Sequence, residues 1–593
     1  MKEQFENCMF MYKLIWKFDK IRILLIFILA VVDCLQLLAS TFFLKFMIDG
    51  IVNSEPLKYF IIVSSIRILA EVLSQAVHNY FESSIFEMRN NVVRNGFLKL
   101  IYNKVCEIDI SAFDDADFYD KLSRAIDEAY QRPIWMVGTL TSLISMLLNT
   151  VALIVTLAYL SPFSIIIALV GGLFTFYCSI VSGRIEFEFR QKGTSIGRRL
   201  GYVERIFYLN QYAKDVRTTH LKDHMMDILD SAMRGHNTLI KKYLLKRASV
   251  IVLGEFVFSV LNLGVASVYI CMQIRNNELS VGDFASISVA IISLSAQLSN
   301  FCKELTRYNE HSLFVNNLKA VLQYKTKLIF NEQGEKAEEC NNYDIELKNV
   351  SFTYMNNDKE SIKDISLKIK QGQKVAFVGE NGAGKSTLLK LILHLYEANK
   401  GSISLGDTPY SEFNLESLYG TMAVVHQDFQ AYALTIKENL MLYNDKAYTD
   451  EEIKSVLDVV GMTDVVDEAA AGLDTMMTRE FDDYGINLSG GQNQRMAIAR
   501  ALCSKANVII MDEPSSALDP LAEKELFDVI EDKIPASKTL IIVSHKLSGV
   551  KNMDNIFFMQ NGAIVEQGRH DELMALDGQY AHMFRTQAER YGM

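Results

Sequence analysis

The stretch KVAFVGENGAGKST at residues 374–387 decides the fold, because an apolar strand runs into a glycine-rich loop and then into a helical pattern. Its glycines let the backbone approach an anion closely, so that N–H groups at a helix N-terminus face phosphates. Lys385 supplies a positive charge, and the Ser386 hydroxyl can ligate Mg²⁺. We therefore predict an α/β P-loop nucleotide-binding domain. The expected nucleotide-binding residues of the loop are Gly379, Glu380, Asn381, Gly382, Ala383, Gly384, Lys385, Ser386 and Thr387.

Length and composition exclude several classes of protein. A chain of 593 residues is too long for one core, so we expect a multidomain protein. A net charge of −11 argues against nucleic acid as a partner. The eight cysteines are scattered without a C-x-x-C pair, which argues against a disulfide framework or a zinc site. Residues 1–20 mix charges and aromatics, and we expect no removable signal peptide there.

Six stretches in the first half are apolar enough to cross a membrane. A spanning helix needs about 20 such residues, because lipid offers its backbone no hydrogen-bond partners. The stretches are residues 21–46, 59–80, 134–160, 163–183, 249–272 and 281–305. The second and sixth are partly polar, which favours positions that face protein or a water-filled cavity. We therefore predict an all-α, six-helix transmembrane domain in a lipid bilayer.

The connections between these spans alternate in length. Those at residues 49–58, 161–162 and 274–280 are short, whereas the linkers after the second and fourth spans are long, charged and helix-patterned. Arginine and lysine crowd the linker between the fourth and fifth spans, so the positive-inside rule places the long side in the cytoplasm. We expect a multi-pass protein of the cell membrane with both termini and the nucleotide-binding domain cytoplasmic.

Two segments of the long linkers, residues 109–120 and 208–217, interrupt the helical periodicity. Both are placed at the cytoplasmic tips of the predicted helices, where a nucleotide-binding domain can dock. The alternative interpretation is a pair of solvated loops.

Ionisable residues inside the spans fall into two groups. Arg67 with Glu71, and Lys45 with Asp49, are four residues apart on a helix face, so we expect each pair to neutralise itself. Asp33 and Glu255 have no such local partner. Each either forms hydrogen bonds between helices or contacts a substrate.

The composition turns polar after the sixth span. We predict a transmembrane domain at residues 1–326, a linker at 327–344 and a nucleotide-binding domain at 345–593. That last domain opens with two alternating strands, at 345–354 and 365–369. Tyr354 can stack on a purine, although a tyrosine at a strand end ordinarily packs against its neighbours.

Four apolar runs of strand length, at residues 375–378, 422–425, 508–511 and 540–543, predict the covered central strands of a parallel sheet. Ligands bind such sheets at the carboxyl ends of the strands. Polar residues follow the last three runs at that edge: Gln427, Asp512 with Glu513, and His545.

These four side chains suit phosphoryl transfer, which depends on positioning and charge more than on covalent help. We expect Asp512 to hold the metal or its water and Glu513 to polarise an attacking water. The Gln427 amide oxygen can ligate Mg²⁺ or the water, and His545 can hydrogen-bond the γ-phosphate. The catalytic candidates are thus Glu513, His545 and Gln427, and the Mg²⁺ candidates are Ser386, Gln427 and Asp512.

A second anion-binding helix start has no partner in this scheme. Residues 488–492 read LSGGQ and open a helical pattern at 493–503. One phosphate loop does not need two such helix starts.

Together these motifs resemble those of ATP-binding-cassette proteins. The P-loop at 379–387, Gln427, the signature at 488–492, the Walker B strand at 508–513, the D-loop at 516–519 and the switch residue His545 follow the family order and spacing. Six spans ahead of the cassette resemble the exporter half-transporters. The resemblance implies an ATPase that drives export with ATP and Mg²⁺, adenine stacking by Tyr354, and a place for Asp519 in the nucleotide site.

The resemblance also implies a dimer, in which the signature of one cassette closes on ATP held by the other. The signature candidates are Ser489, Gly490, Gly491 and Gln492. Because Glu513, His545 and the signature are intact, a homodimer is the simplest expectation, and a pair with a related half-transporter is the alternative. The segments at 109–120 and 208–217 match the family's coupling helices, whereas 478–482 only loosely resembles its acidic cross-talk segment.

The transported substrate is least defined by the sequence. Residues 427–430 (QDFQ) with 434–439 (LTIKEN) are similar to bacterial exporters of modified antimicrobial peptides, so we expect a peptide or a hydrophobic small molecule. A lipid or drug exporter is an alternative, and a nucleotide-gated channel or sensor is an alternative from another class. No peptidase-like domain precedes the first span, so we do not expect leader processing. The six spans exclude a soluble DNA-repair ATPase.

Overall fold

The computed structural model describes residues 2–326, 334–355, 357–443, 448–515 and 520–591. The chain divides into two units, Met1–Cys106 with Asp120–Gln323, and Glu107–Tyr119 with Tyr324–Met593. The segment Glu107–Tyr119 thus groups with the second unit, although the predicted domain boundary places it in the first. Of the predicted linker at 327–344, residues 327–333 lie outside the described part of the chain.

The described residues of the N-terminal half are mostly helical, with short turns between the helices. Its helices are α1 (Lys2–Phe18), α2 (Lys20–Val52), α3 (Leu57–Tyr80), α4 (Glu87–Glu107), α5 (Ile110–Phe113), α6 (Ala116–Ala129), α7 (Arg132–Leu160), α8 (Pro162–Tyr208), α9 (Ala213–Thr218), α10 (Leu221–Phe258), α11 (Ala266–Arg275) and α12 (Val281–Leu322), with π-helical turns at Phe81–Phe86 and Ser259–Val265.

Six helical stretches among the described residues are long and apolar enough to cross a membrane. They are Lys20–Val52, Leu57–Glu107, Arg132–Leu160, Pro162–Tyr208, Leu221–Arg275 and Val281–Phe301. Each coincides with one of the predicted spans, so the six-helix membrane domain is confirmed. Helix α8 has 47 residues, which at about 1.5 Å per residue is roughly 70 Å, more than twice the hydrocarbon thickness of about 30 Å. The long linkers are therefore continuations of the spanning helices.

The two interruptions of periodicity form short helices. Helix α5 occupies residues 110–113 and is followed by a turn before α6. In the other linker, a 3₁₀ turn at Asn210–Tyr212 leads into α9. Within the second unit, the Tyr396 hydroxyl donates a hydrogen bond of 2.7 Å to Asp114, directly after α5.

One of the two predicted ion pairs inside the spans is wrong. Arg67 pairs with Glu71 as expected. Lys45 instead pairs with Asp283 on α12. Asp49 accepts a backbone N–H bond of 2.8 Å at the N-terminus of α12, so its charge compensates that helix end rather than the lysine.

Asp33 and Glu255 have different surroundings. Asp33 accepts a hydrogen bond of 3.0 Å from the Ser145 hydroxyl on α7, and its other oxygen lies 3.6 Å from His78 Nδ1 on α3. Of the two predicted alternatives for Asp33, the structure shows the interhelical hydrogen bond. Glu255 on α10 is exposed on the surface of the single chain.

The second unit contains two sheets and short helices. Its strands are β1 (Ile345–Phe352), β2 (Ile362–Ile369), β3 (Lys374–Val378), β4 (Lys400–Leu405), β5 (Thr408–Pro409), β6 (Met422–Val425), β7 (Val508–Asp512), β8 (Thr539–Ser544), β9 (Asn555–Gln560) and β10 (Ala563–Gly568). Its remaining helices are α13 (Lys385–Ile392), α14 (Leu415–Gly420), α15 (Ile436–Leu440), α16 (Asp450–Val459), α17 (Thr463–Asp467), α18 (Gly490–Leu502), α19 (Pro520–Lys533), α20 (His570–Leu576) and α21 (Gln579–Tyr591).

The larger sheet has the strand order β10-β9-β3-β8-β7-β6 in the described residues. Strands β9, β3, β8, β7 and β6 are parallel neighbours, which confirms the predicted parallel core. The smaller sheet is antiparallel in the order β2-β1-β4-β5. Its first two strands are the two alternating runs that the sequence predicts.

Both faces of the parallel sheet are buried, as the unbroken apolar runs require. In β3, Ala376 and Val378 belong to one hydrophobic cluster, whereas Val375 and Phe377 belong to another. Because successive side chains point to opposite faces of a strand, these two clusters are the two covered sides of the sheet. The arrangement fixes the carboxyl ends of β3, β6, β7 and β8 along one edge.

Candidate nucleotide site

The glycine-rich loop follows β3 directly and its backbone requires glycine. Gly379, Gly382 and Gly384 have φ values of 147°, 80° and 103°, where a side chain strains the backbone. A Cβ atom on Gly379 would lie 2.2 Å from the Met559 carbonyl oxygen. Gly384 caps α13, so the loop ends at a helix N-terminus suited to an anion.

The side chain of Lys385 is held across this loop. Its Nζ donates to the carbonyl oxygens of Gly379 and Glu380, at 2.7 and 2.9 Å, and the residue is buried. Burial lowers the pKa of this ammonium, while Glu513 and Asp512 act in the opposite direction. The lysine is therefore positioned between the loop and the acidic ends of the neighbouring strands.

A cleft of about 1310 Å³ opens beside the loop and brings nine of the predicted site residues together. The predicted residues along its walls are Asn381, Gly382, Gly384, Lys385, Ser386, Thr387, Gln427, Glu513 and His545. The groups that follow β6, β7 and β8 thus share one cleft with the phosphate loop.

Glu513 is the centre of a polar triad in this cleft. Gln427 Nε2 donates to Glu513 Oε2 at 3.0 Å, and His545 Nδ1 lies 3.1 Å from Glu513 Oε1. Glu513 has a φ of 51°, a left-handed conformation that costs a non-glycine residue of order 1–3 kcal/mol. Its backbone N–H donates to the Val543 carbonyl on β8, which holds that conformation in place.

Asp512 ends β7 in a setting that suits a divalent cation. The pKa of its carboxyl is raised to about 6, mainly by burial and also by the charge of Glu513, while Lys385 acts in the opposite direction. Its Oδ1 atom is buried and has no hydrogen-bond partner within the described part of the chain. The Asp512 carboxylate, the Ser386 hydroxyl and the Gln427 amide oxygen together are hard oxygen donors of the kind that Mg²⁺ prefers. These residues therefore fit the metal that the motifs imply.

Tyr354 lies beside the loop, after the end of β1. Its hydroxyl is 3.2 Å from the Thr387 Oγ1 atom, and its ring makes edge contacts with Phe352 and Tyr396. The tyrosine is half-buried, and Lys390 Nζ lies 5.7 Å from the centre of its ring. Its stacking role stays a prediction.

The signature forms the start of a helix, as the sequence predicts. Ser489 caps α18 by accepting a hydrogen bond from the Gln492 N–H, and the Gln492 side chain accepts one from the Ser489 N–H. Ser489 and Gly490 are exposed, and the described lining of the P-loop cleft includes none of residues 489–492. The predicted D-loop residues 516–519, including Asp519, lie outside the described residues.

Sequence reasoning missed two contacts to the site. Gln494 on α18 is buried and donates to the Glu513 carbonyl at 3.2 Å. At the turn between β9 and β10, the Gly562 N–H donates to the Ala383 carbonyl of the loop at 3.0 Å. Gln494 has no distinguishing pattern, whereas the Asn561-Gly562 dipeptide between two apolar runs is a strong hairpin signal.

The described residues combine six membrane helices with an α/β unit that holds a phosphate loop, a strained glutamate and a second anion-binding helix start. These features define a membrane-bound nucleotide-binding protein. Comparisons with known proteins identify the family. Residues 362–516 match the model of the ABC transporter family. The subtilin transport ATP-binding protein SpaT of Bacillus subtilis is 30% identical over 499 residues, which cover 83% of this chain and 79% of that protein.

Two further similarities span nearly the whole chain. The nisin transport ATP-binding protein NisT of Lactococcus lactis subsp. lactis is 26% identical over 583 residues, which cover 97% of this chain and 95% of that protein. The structure of a bacterial Atm1-family ABC exporter with ATP bound superposes with a TM-score of 0.80 at 20% identity, covering 96% of this chain and 98% of that one. The chain belongs to the ABC transporter family, as an exporter half-transporter. It is an ATPase coupled to transport across a membrane.

Proposed function

We propose that two copies of this chain form an exporter with two ATP sites, each built from the P-loop of one copy and the signature of the other. The observation that carries this proposal is the exposed, well-formed helix start at Ser489, which does not line the P-loop cleft of its own chain. Exposed N–H groups at a helix N-terminus are suited to bind the γ-phosphate of a nucleotide held by a second copy. ATP binding then closes the two cassettes and turns the spans outward, and hydrolysis resets them.

The side chains of the nucleotide site have separate roles in ATP binding and hydrolysis. Loop N–H groups and Lys385 bind the phosphates, and Tyr354 stacks on the adenine. Glu513 accepts the proton of a water whose oxygen attacks the γ-phosphorus, as the bond from that phosphorus to the ADP oxygen breaks. His545 donates a hydrogen bond to the γ-phosphate, and Asp519 is kept among the proposed nucleotide-binding residues. Mg²⁺, when bound by Ser386, Gln427 and Asp512, neutralises charge on the phosphates.

The orientation of the protein in its membrane follows from charge. The basic residues of the linker between the fourth and fifth spans favour the cytoplasmic side for the long helical extensions. The nucleotide-binding domain and both termini then lie in the cytoplasm. We keep the predicted bounds 1–326, 327–344 and 345–593 as the domain proposal.

We propose a modified antimicrobial peptide as the cargo. The similarity to proteins named for subtilin and nisin transport supports this choice, since both alignments cover most of the membrane domain as well as the cassette. Lipids, hydrophobic drugs and unmodified peptides are the competing cargoes.

Reconstitution of the purified chain in sealed lipid vesicles tests the proposal. ATPase activity and uptake into vesicles with outward-facing cassettes are measured with modified peptides, unmodified peptides of the same sequence, lipid A and hydrophobic dyes. We expect modified peptides to stimulate ATP hydrolysis and to accumulate only with ATP. The Glu513→Gln variant in the same vesicles is the matched control for leakage.

The outcomes separate the parts of the proposal. Stimulation by lipid A alone would replace the peptide cargo and leave the exporter assignment intact. Single-channel currents without any accumulation would contradict the exporter mechanism and favour a nucleotide-gated channel.

A further inference from the structure

The side chain of Gln587, on the last helix α21, makes two hydrogen bonds to the loop that follows β8. Its Nε2 donates to the carbonyl oxygen of His545 at 2.8 Å, and its Oε1 accepts from the N–H of Leu547 at 3.0 Å. A single side-chain amide therefore pairs with the backbone on both sides of Lys546. Of these three loop residues, His545 is the one whose ring faces Glu513 in the cleft.

Helix α21, which carries Gln587, is anchored at its start by hydrogen bonds and by a buried tyrosine. The Glu566 carboxylate accepts hydrogen bonds from the N–H groups of Gln579 and Tyr580, at 2.6 and 3.0 Å, at the start of the helix. Tyr580 is fully buried, and its hydroxyl lies 2.8 Å from His570 Nδ1. Gln587 is two helical turns further along, so the helix fixes where its amide stands.

Three further contacts of the loop are made by Lys546. The Ser544 hydroxyl donates to the Lys546 carbonyl at 2.9 Å and accepts from the Lys546 N–H at 3.0 Å. The Lys546 ammonium pairs with Glu523 at 2.7 Å. Among the described hydrogen bonds, only the one from Gln587 restrains the carbonyl of His545.

We propose that Gln587 is a positioning residue for ATP hydrolysis, which fixes the backbone of His545 so that its ring stays aligned with Glu513 and the γ-phosphate. This inference rests on the proposed role of His545. It extends the site to α21, the last helix among the described residues. Without the two hydrogen bonds from Gln587, the imidazole of His545 is free to move away from Glu513. Misplacement of a catalytic group by about 1 Å can cost up to about 10²-fold in rate.

Three variants test the proposal by steady-state ATPase measurements on the full-length protein in lipid. Gln587→Ala removes both hydrogen bonds, and Gln587→Glu keeps an acceptor for Leu547 but cannot donate to His545. Thr586→Ala is the matched control, because within the described part of the chain this neighbouring hydroxyl bonds only the His582 carbonyl of its own helix. We expect kcat to fall about tenfold in both Gln587 variants, with KM for ATP within about twofold of the parent, and neither constant to change in the control.

A double-variant cycle with His545→Ala distinguishes positioning from general destabilisation. If Gln587 acts through His545, adding Gln587→Ala to His545→Ala lowers the residual rate no further. An undiminished tenfold loss in the double variant would overturn the inference, as would a parental kcat in both Gln587 variants. If Gln587→Ala fails to fold, Gln587→Glu decides by the same criteria.

The cycle also separates this inference from the site assignment on which it depends. A parental rate in His545→Ala would overturn the role of His545, and the inference with it. An inactive His545→Ala with parental Gln587 variants would overturn only the inference.

Discussion

Replacing Glu513 by glutamine tests the catalytic assignment most sharply, because the change keeps the shape of the side chain and removes its basicity. A positioned general base contributes about 10²–10⁴-fold to a rate. The structure places the carboxylate between the Gln427 amide and the His545 ring, at 3.0 and 3.1 Å, with its backbone locked by the Val543 carbonyl. We therefore expect kcat to fall by about 10²–10⁴, a barrier increase of about 3–5 kcal/mol.

The Glu513→Gln variant should lose turnover without losing affinity for ATP. Lys385 and the loop N–H groups bind the phosphates, and the variant removes a negative charge that faces them, so we expect Kd for ATP to stay equal or fall. The assay combines phosphate release with binding of a fluorescent ATP analogue, both in lipid. Glu525→Gln, the same chemical change on the exposed surface of α19, is the matched control. Turnover at the parental rate, or ATP binding weakened more than tenfold, would refute the assignment.

Three further predictions concern the binding groups. Lys385→Ala should weaken ATP binding by about 10–100-fold through loss of a charge-assisted contact of about 1.5–3 kcal/mol, as measured by titration with the fluorescent analogue; unchanged affinity would contradict its role. Tyr354→Ala should raise KM for ATP by about tenfold, since base stacking is worth about 1–3 kcal/mol, whereas Tyr354→Trp should stay near the parent in the same assay; equal effects of the two would exclude stacking. Burial and the charge of Glu513 raise the pKa of the Asp512 carboxyl from 3.8 to about 6. The folded state therefore binds the carboxyl proton more tightly than the unfolded state does, and the protein loses stability as pH rises between those values. Asp512→Asn should therefore raise the melting temperature of the nucleotide-free, metal-free protein at pH 8 but not at pH 4, and a gain independent of pH would count against this reasoning.

The sheet and the membrane helices were predictable because burial leaves a direct trace in sequence. The run at residues 540–543 is apolar at every position since both faces of β8 are covered, and it could be assigned without a partner strand. The spans are predictable for a similar reason, because the bilayer fixes a minimum apolar length. The convergence of Gln427, Glu513 and His545 followed from the rule that parallel strands present their carboxyl ends at one edge.

The remainder depended on contacts between distant residues. Lys45 has an acid one turn away in sequence, yet its partner Asp283 is 238 residues further along the chain. The hydrogen bonds of Gln494 and Gln587 are made to backbone groups. Because every residue type offers a backbone carbonyl, the sequence does not indicate which residue is the partner. The left-handed backbone of Glu513 has no sequence signal either, because glutamate rarely adopts it.

Complementation between two inactive variants tests the central claim, an ATP site shared by two copies of the chain. Lys385→Ala disables the P-loop, and Gly490→Asp places a negative charge at the signature while keeping a helix start that favours acidic residues. Each variant alone has no intact composite site, but a mixed dimer has one. We predict that ATPase activity, absent in each variant, reappears when both are co-expressed and the mixed dimer is purified with two different tags. A mixed dimer as inactive as its parents would contradict the shared site.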